Sequence, residues 1–483
     1  MSALDILPPD RLDEILDALP HQRIGALGDF CLDAYWFIDP AGSEPSLETG
    51  KPTRPVKKQI YSLGGAGNVA ANLRALGVGR IAAFGCVGDD PFGHCLLRKL
   101  EQIDVHCAGM IVCEEPDWQT LTYCKPHEDE EEGRRIDMGA FNRLPVSRAD
   151  AILSHLNDTL PHLDLLVVNQ QVRTGIHTRY LRRRFHTLMT EHPETVVLYD
   201  SRHFPESYPG AWLKINDHEA LRLCGTLRPP EELVLRDEAR NAAATLSQRS
   251  GTPVVVTRGA RGCIVADDAG CTILPGLQVA GPTDPVGAGD TFLAALGAGI
   301  AADAGLRQAA ALANCAASIT AQKLRRTGTA SPEEIRAAGA DPAYVLHPER
   351  AEDPRRAVYR SGTDIEVVEE WPDTPDIRFA IFDHDGTVSV LRQGWEDVME
   401  AVMVRAILGD AFAEADENLY RNVTARVRQF IDDTTGIQTL AQMTGLVDLV
   451  REFGLIPEQR IRSPEGYKER YNNALMERVR ERL

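Results

Sequence analysis

The chain has 483 residues, and its hydrophobic share of 43% and charged share of 25% are typical of a soluble globular protein. Its length suggests about two to four domains. A formal net charge of −19 argues against a nucleic-acid or anionic-membrane surface. The ten cysteines form no CxxC pair, the N-terminus is acidic, and no apolar run reaches the ~20 residues that span a membrane. We therefore expect a cytoplasmic protein with neither a nucleic-acid nor a membrane partner.

Apolar strand-like runs alternate with amphipathic helix-like runs over most of residues 21–345. A short helix is predicted within residues 1–20, followed by RIGALGDFCLDAYWFID, an apolar strand that ends in a glycine–acid turn. Further predicted strands are RIAAFGCVGDD, LDLLVVNQ, TVVLYDS, AWLKIN, PVVVTRG and GCIVAD. This alternation predicts an α/β fold with a doubly wound, mostly parallel sheet that helices cover on both faces.

Residues from about 104 to 145 interrupt this alternation. Two short strand-like runs, HCAGMIVC and QTLTYCK, precede the acidic run EDEEEGRR. We interpret the region as a small antiparallel β lid over a binding site, and the acidic run as a solvated loop tip.

The stretch TDPVGAGDTFLAALGAGIAA places three small residues, Gly287, Ala288 and Gly289, before Asp290 and an apolar helix. The turn has a purely structural interpretation, in which glycine opens a packed helix and Asp290 caps it. It also has a chemical one. Backbone N–H groups at the start of a helix attract phosphate, and a carboxylate beside them can take a proton from an attacking hydroxyl.

Two motifs in this order resemble the signatures of the PfkB/ribokinase family of sugar kinases. GGAGNVAANLRALG is similar to the first signature, and DPVGAGDTF to the second. GDFCLDAYW, VGDDPFG, VVVTRGARG and ANCAASITAQKLRRTGTAS look closest to the kinase domain of ADP-heptose synthase. The resemblance implies a ribokinase-like kinase over residues 21–345. Its substrate would be a sugar or sugar phosphate, with a heptose 7-phosphate-like one favoured, and its cofactors ATP and Mg²⁺.

The resemblance also implies roles for individual residues. Asp290 is implied as the catalytic base, in front of an anion hole at Gly287, Ala288 and Gly289. The residues implied to hold the sugar are Asp33, Gly64, Gly65 and Asn68. The pair implied to organise Mg²⁺ and phosphate, largely through water, is Asn216 and Glu219. The residues implied to hold the nucleotide are Thr257, Arg258, Gly259 and, on the adenine side, Asn314.

Two segments depart from the heptose-kinase pattern. A lysine-bearing segment is expected where this chain has YDSRH, and Arg202 is a candidate to replace that lysine because arginine binds phosphate bidentately. VVNQQVRTG stands where an acidic or Ser-Asp segment is expected near the sugar. Gln170, Gln171 and Arg173 are therefore candidate specificity residues.

Residues 346–376 are rich in Pro, Glu and Asp and read as a linker, and a second domain is predicted over 377–483. IFDHDGTVS resembles motif I of the haloacid dehalogenase (HAD) superfamily. The resemblance implies Asp383 as nucleophile and Asp385 as acid/base, both holding Mg²⁺, with Thr387 in support. The helix-like runs that follow resemble a HAD cap. No candidates for the family's other motifs follow, so we expect a HAD-like α/β segment that is incomplete and inactive by itself.

Other functions stay open at this point. The chain could be a nucleoside kinase or a fructose- or ribose-type kinase of the same family. It could also be a non-catalytic, sugar-binding regulatory module. The family resemblance makes a homodimer through the lid plausible.

Overall fold

The computed structural model describes residues 6–115, 118–128, 131–230, 232–279, 283–323, 328–340, 342, 344–345, 358, 360–362, 367, 378–382, 394–415 and 417–482. The chain divides into two compact units, Met1–Glu370 and Trp371–Leu483. Asp383, Asp385 and Thr387 lie outside the described residues, so the HAD motif stays a prediction. Among the described residues, no helix combines the length and apolar character that a membrane crossing requires.

The first unit contains fourteen strands among its described residues. They are β1 (Arg23–Gly28), β2 (Phe30–Ile38), β3 (Val56–Gly65), β4 (Arg80–Gly88), β5 (His106–Cys113), β6 (Leu121–Glu128), β7 (Glu131–Glu132), β8 (Ile136–Met138), β9 (Leu165–Gln170), β10 (Val196–Ser201), β11 (Trp212–Asn216), β12 (Val254–Thr257), β13 (Cys263–Asp267) and β14 (Gly270–Leu274).

Nine of these strands form the central sheet, in the order β14-β13-β12-β11-β10-β9-β1-β4-β5. From β12 to β5 all neighbours pair in parallel, and only β13 and β14 are antiparallel. Strands such as β9 are buried at every residue, as expected for a parallel sheet covered on both faces. The predicted α/β fold with a mostly parallel sheet is confirmed.

A smaller sheet contains β3-β2-β6-β7, with β8 paired to β6. Its strands correct two predictions. The run at residues 23–39, predicted as one strand that ends in a glycine–acid turn, contains two strands. β1 ends at Gly28, and after Asp29 the chain enters the small sheet as β2. HCAGMIVC, predicted in the lid, is β5, and it pairs with β4 at the edge of the central sheet. A short apolar run fits either sheet, and only long-range pairing decides between them.

Ten helices are described in the first unit. They are α1 (Pro9–Ala18), α2 (Ala66–Ala75), α3 (Pro91–Gln102), α4 (Val146–Thr159), α5 (Arg179–Glu191), α6 (Asp217–Leu223), α7 (Arg236–Ser250), α8 (Ala288–Ala301), α9 (Leu306–Ala321) and α10 (Pro332–Ala340).

Helix α8 is the most deeply buried of the helices that lead to the candidate site. Residues Thr291–Gly299 are buried in a continuous run. A Cβ on Gly297 would stand 3.1 Å from Val167 of β9, and one on Gly299 would stand 2.9 Å from Ala309 of α9. These close approaches need glycine, and they hold the start of α8 at the carboxyl ends of the central strands.

Over residues 395–482 the structure describes the second unit as helices, and those up to Phe453 coincide with the helix-like runs of the sequence. They are α11 (Trp395–Leu408), α12 (Glu417–Thr434), α13 (Thr439–Phe453) and α14 (Pro464–Arg482). Their apolar faces form a separate core that includes Met403, Val427, Leu446 and Tyr471.

Candidate active site

The turn before α8 leaves backbone N–H groups without a side-chain cap at the start of the helix. Gly287 has a φ of 82°, a left-handed conformation that favours glycine, and no side chain caps the helix. The N–H of Ala288 donates to the carbonyl of Pro285 at 3.1 Å. The N–H groups of Gly289 and Asp290 therefore stand at the open end of the helix, where its dipole favours a negative charge.

Two amides hold the Asp290 carboxylate. Asn68 donates from Nδ2 to Oδ2 at 3.0 Å, and Asn169 donates from Nδ2 to Oδ1 at 3.4 Å. Burial raises the pKa of Asp290 to about 6, and nearby Asp200 adds to the rise, while the two amides and Lys214 oppose it. A carboxyl group with this pKa is mostly ionised at neutral pH and can still accept a proton.

Lys214 of β11 is a site residue that the sequence analysis missed. Its side chain is buried, and its Nζ lies 2.7 Å from Oδ2 of Asp200 at the end of β10. A Cβ on Gly289 would stand 3.5 Å from the same Nζ, so the ammonium lies beside the start of α8. The acids around Lys214 raise its pKa although burial lowers it, so the side chain stays charged.

The Asp33 carboxylate lies in the small sheet next to the first signature. A Cβ on Gly64 would stand 3.0 Å from its Oδ2, so glycine keeps this carboxylate accessible from β3. Its Oδ1 lies 3.0 Å from Nζ of Lys125 on β6, and both side chains are largely buried. Lys125 also lies over the ring of Tyr35, 4.8 Å from its centroid. The sequence analysis missed Lys125.

The candidate specificity residues differ in their surroundings. The Gln170 side chain is buried, and its amide bonds to the Ser201 hydroxyl, the His203 N–H and the Val172 carbonyl. It therefore fixes the ends of β9 and β10. The Arg202 side chain is exposed beside it. Burial lowers the pKa of His203, and the positive charges of Arg173, Arg202 and Arg222 lower it further.

Asn216 and Glu219 form a capping box at the start of α6. The Glu219 N–H donates to Oδ1 of Asn216 at 2.8 Å, and the Asn216 N–H donates to Oε2 of Glu219 at 3.3 Å. Burial raises the pKa of Glu219, and nearby Asp200 adds to the rise. A divalent cation would offset the repulsion between the carboxylates of Glu219 and Asp200. These two neighbouring acids therefore fit Mg²⁺.

The residues predicted for the nucleotide lie along the next strands. Thr257 pairs with Asn216 across β11 and β12, and with Cys263 across β12 and β13. Arg258 is 2% exposed. Gly259 follows in the left-handed region. Asn314 of α9 donates to the Pro275 carbonyl at 3.3 Å and lines a small cavity with Tyr344.

Asn169 and Lys214 were missed for the same reason. Both lie in apolar runs, LDLLVVNQ and AWLKIN, for which the sequence analysis predicted only strands. A polar side chain at the carboxyl end of a parallel strand is the signal that could have found them, because ligands bind at that edge of an open α/β sheet.

A ribokinase-like sheet, with an acid at the start of a buried helix on its carboxyl edge, is the architecture of a sugar kinase. The model described as "pfkB family carbohydrate kinase" matches residues 30–334. The chain belongs to this family.

Particular relatives narrow the comparison. The bifunctional protein HldE of Desulfatibacillum aliphaticivorans is 26% identical over 444 residues, which cover 89% of this chain and 83% of that protein. HldE of Aliivibrio salmonicida is 29% identical over 314 residues, covering 64% of this chain and 62% of that protein. For HldE of Caulobacter sp. (strain K31), the match covers 63% of that protein. The match thus spans less than two thirds of the second and third relatives.

Solved structures show the same fold. Phosphofructokinase-2 from Escherichia coli, in complex with substrates and products, is similar with a TM-score of 0.52 and 20% identity. That match covers 66% of this chain and 98% of the enzyme. The tetrameric inhibited form of the same enzyme also gives a TM-score of 0.52.

Proposed function

We propose that residues 21–345 transfer the terminal phosphoryl group of ATP to a hydroxyl of a sugar or sugar phosphate. The observation that carries the proposal is the Asp290 carboxylate, held by Asn68 and Asn169 at the open N-terminus of α8. A heptose 7-phosphate-like substrate is favoured by the sequence motifs and by relatives that carry the name HldE.

In this proposal Asp290 accepts the proton of the attacking sugar hydroxyl. The Asn68 and Asn169 amides keep both carboxylate oxygens oriented, so a hydroxyl meets the base without rearrangement. The N–H groups of Gly289 and Asp290 stabilise the negative charge that develops on the transferring group. Lys214 adds a positive charge beside that turn.

Glu219 and Asp200 are the carboxylates that would hold Mg²⁺, with waters completing its shell. Mg²⁺ usually binds through one or two carboxylates plus substrate phosphates, so a small number of protein ligands suffices. When bound, it neutralises phosphate charge.

The sugar would lie between Asp33 and the first signature. A carboxylate accepts from two adjacent hydroxyls at once, and Gly64 and Gly65 let the backbone approach them. Lys125 pairs with Asp33 and supplies a cation at the same wall, which suits a hydroxyl-rich or anionic sugar. Arg173 and Arg202 are further candidates to bind a substrate phosphate.

A ³¹P NMR screen with ATP and Mg²⁺ tests the proposal. The acceptors are heptose 7-phosphate, fructose, fructose phosphates, ribose and nucleosides. A new sugar-phosphate signal with ADP, strongest for heptose 7-phosphate, is the expected result. Turnover of nucleosides alone would make the chain a nucleoside kinase. Binding without any turnover would make it a regulatory module.

The pH profile of the kinase reaction follows from the pKa of Asp290. The base works only when ionised, and its pKa is raised to about 6. We expect kcat/KM to rise with pH through about 6 and to level off above it, with a slope of about one on the acid side. Steady-state rates between pH 5 and 8 check this, and an acid limb near pH 4 would contradict the pKa.

Replacing Asp33 with Asn tests the sugar side. The variant keeps the shape of the side chain but loses the charge that pairs with Lys125. We expect KM for the sugar to rise by about tenfold or more, with KM for ATP nearly unchanged. A rise in both KM values would show that Asp33 supports the whole fold rather than the sugar.

We also propose that residues 377–483 carry a HAD-type segment that does not hydrolyse sugar phosphates by itself. The order of FDHDGT and the helices α11–α14 supports a motif followed by a cap. Asp383 would be its nucleophile and Asp385 its acid/base. In the NMR screen this predicts no release of inorganic phosphate from any sugar phosphate.

A homodimer through the small sheet is part of the proposal as well. Val56, Ile60 and Ile136 on its strands are exposed although they are apolar, and a second copy of the chain would cover such a surface.

A further inference from the structure

Asp29 occupies the corner where the chain passes from β1 of the central sheet to β2 of the small sheet. It is 0% exposed. Its Oδ2 accepts the N–H groups of Gln171 at 2.8 Å and Val172 at 3.0 Å, and its Oδ1 accepts that of Ile176 at 3.0 Å. Among the described residues, this carboxylate bonds to backbone N–H groups and to no cation.

The backbone of Asp29 is engaged as well. Its N–H donates to the Asn169 carbonyl at 3.1 Å, and its carbonyl accepts the N–H of Ala66 at 3.1 Å. One residue therefore joins the end of β9, the start of α2 and the loop 171–176. This explains why the chain cannot continue as one strand here.

Two glycines are required by this arrangement. A Cβ on Gly175 would overlap the carboxylate of Asp29, and a Cβ on Gly65 would overlap its carbonyl oxygen. Any side chain at either position would push the loop or the first signature away from the corner. The packing is thus tight on both sides of Asp29.

The loop that Asp29 holds contacts three parts of the site. A Cβ on Gly65 would stand 3.4 Å from Cγ of Gln171, so this side chain lies against the first signature. Gln171 also donates from Nε2 to Oδ1 of Asn169 at 3.1 Å, and Asn169 in turn donates to Asp290. Thr174 donates from its hydroxyl to the Ala140 carbonyl at 3.0 Å, just after β8 of the small sheet.

We propose that Asp29 is the positioning residue of the sugar side of the site. It fixes the loop 171–176 against Gly65 and keeps Asn169 directed at Asp290, without touching the reacting atoms itself. The proposal rests on the sugar kinase function proposed above. A carboxylate is needed because three N–H groups converge on it, and an amide would offer one oxygen and turn an NH₂ group toward donors.

Asp29→Asn tests the proposal in the full chain, with ATP and the sugar that the NMR screen identifies. We expect KM for the sugar to rise by about tenfold or more, kcat to fall by a smaller factor, and KM for ATP to change less than about twofold. A residue that only supports the fold would change both KM values together or neither. That result would overturn the proposal.

Two further variants sharpen the test. Gly175→Ala drives a methyl group into the same carboxylate and is expected to give the same split between the KM values. Asp164→Asn is the matched control, because Asp164 accepts from the N–H and guanidinium of Arg23 at the opposite end of β1. It is expected to leave both KM values unchanged. A sugar-specific rise in Asp164→Asn would contradict the assignment to Asp29.

Hydrogen exchange separates this proposal from the kinase function. In Asp29→Asn, the amides of Gln171, Val172 and Ile176 should exchange at least about tenfold faster than in the wild type. If the wild type phosphorylates no sugar, the proposed kinase function is wrong. The exchange measurement still tests whether Asp29 holds the loop 171–176. Unchanged protection of these amides would overturn the positioning role.

Discussion

Asp290→Asn is expected to reduce kcat for sugar phosphorylation by about 10³-fold while ATP and sugar still bind. The amide of the variant cannot accept the proton of the sugar hydroxyl. It also turns an NH₂ group toward Asn68 or Asn169, both of which donate to the wild-type carboxylate. The N–H groups at the start of α8 stay in place, so residual turnover from charge stabilisation remains. Single-turnover rates and calorimetric binding of ATP measure the two effects separately.

The matched control is Asp303→Asn, at the opposite end of the same helix. Asp303 follows the C-terminal turn of α8, and its backbone carbonyl accepts from Arg11. We expect this variant to keep wild-type kcat and both KM values. Equal turnover in Asp290→Asn and wild type would remove Asp290 as the base, and a loss of ATP binding in the variant would make its role one of binding.

The parts of the site that the sequence predicted come from local motifs. A glycine turn before an apolar helix sets its own backbone geometry, so Gly287 and Asp290 could be placed from nine residues of sequence. The alternation of buried strands with helices predicted the parallel sheet in the same way. The Asn68 contact with Asp290 follows once both signatures are assigned to one family.

The parts that the sequence did not predict depend on partners far along the chain. The passage from one sheet to the other at Asp29 is set by N–H groups 142 to 147 residues away, so the glycine–acid pair predicts a turn but not the second sheet. β5 was assigned to the wrong sheet because its own residues do not determine that it pairs with β4. Lys125 and Asp33 lie on strands that pair in parallel across a long connection.

A buried lysine lies close to the segment in which the heptose-kinase pattern leads us to expect one. The sequence lacks a lysine after the strand that ends in YDSRH, and Arg202 was the candidate to replace it. The structure has a buried ammonium in that region from the neighbouring strand, with Lys214 of β11 paired to Asp200 of β10. Arg202 is exposed beside them.

Lys214→Met is expected to lower kcat by about 10²-fold, because the charge beside the anion site is lost. The same change should shift the acid limb of the pH profile. Lys214 lowers the pKa of Asp290 and Asp200 raises it, so removing Lys214 leaves a pKa above the wild-type value of about 6. Activity should then begin at higher pH. Rates across pH 5 to 9, with thermal unfolding to confirm the fold, measure both effects.

The double variant Lys214→Met with Asp200→Asn separates the two contributions. Asp200 raises the pKa of Asp290 and Lys214 lowers it, so removing both should move the acid limb back toward the wild-type position. It should also recover stability, because Lys214→Met alone leaves Asp200 without its partner. The loss in kcat should remain, since the ammonium is still missing and the double variant also lacks Asp200, one of the two proposed Mg²⁺ carboxylates. Recovery of kcat in the double variant would mean that Lys214 acts only by neutralising Asp200 and gives no direct support to the transferring phosphoryl group.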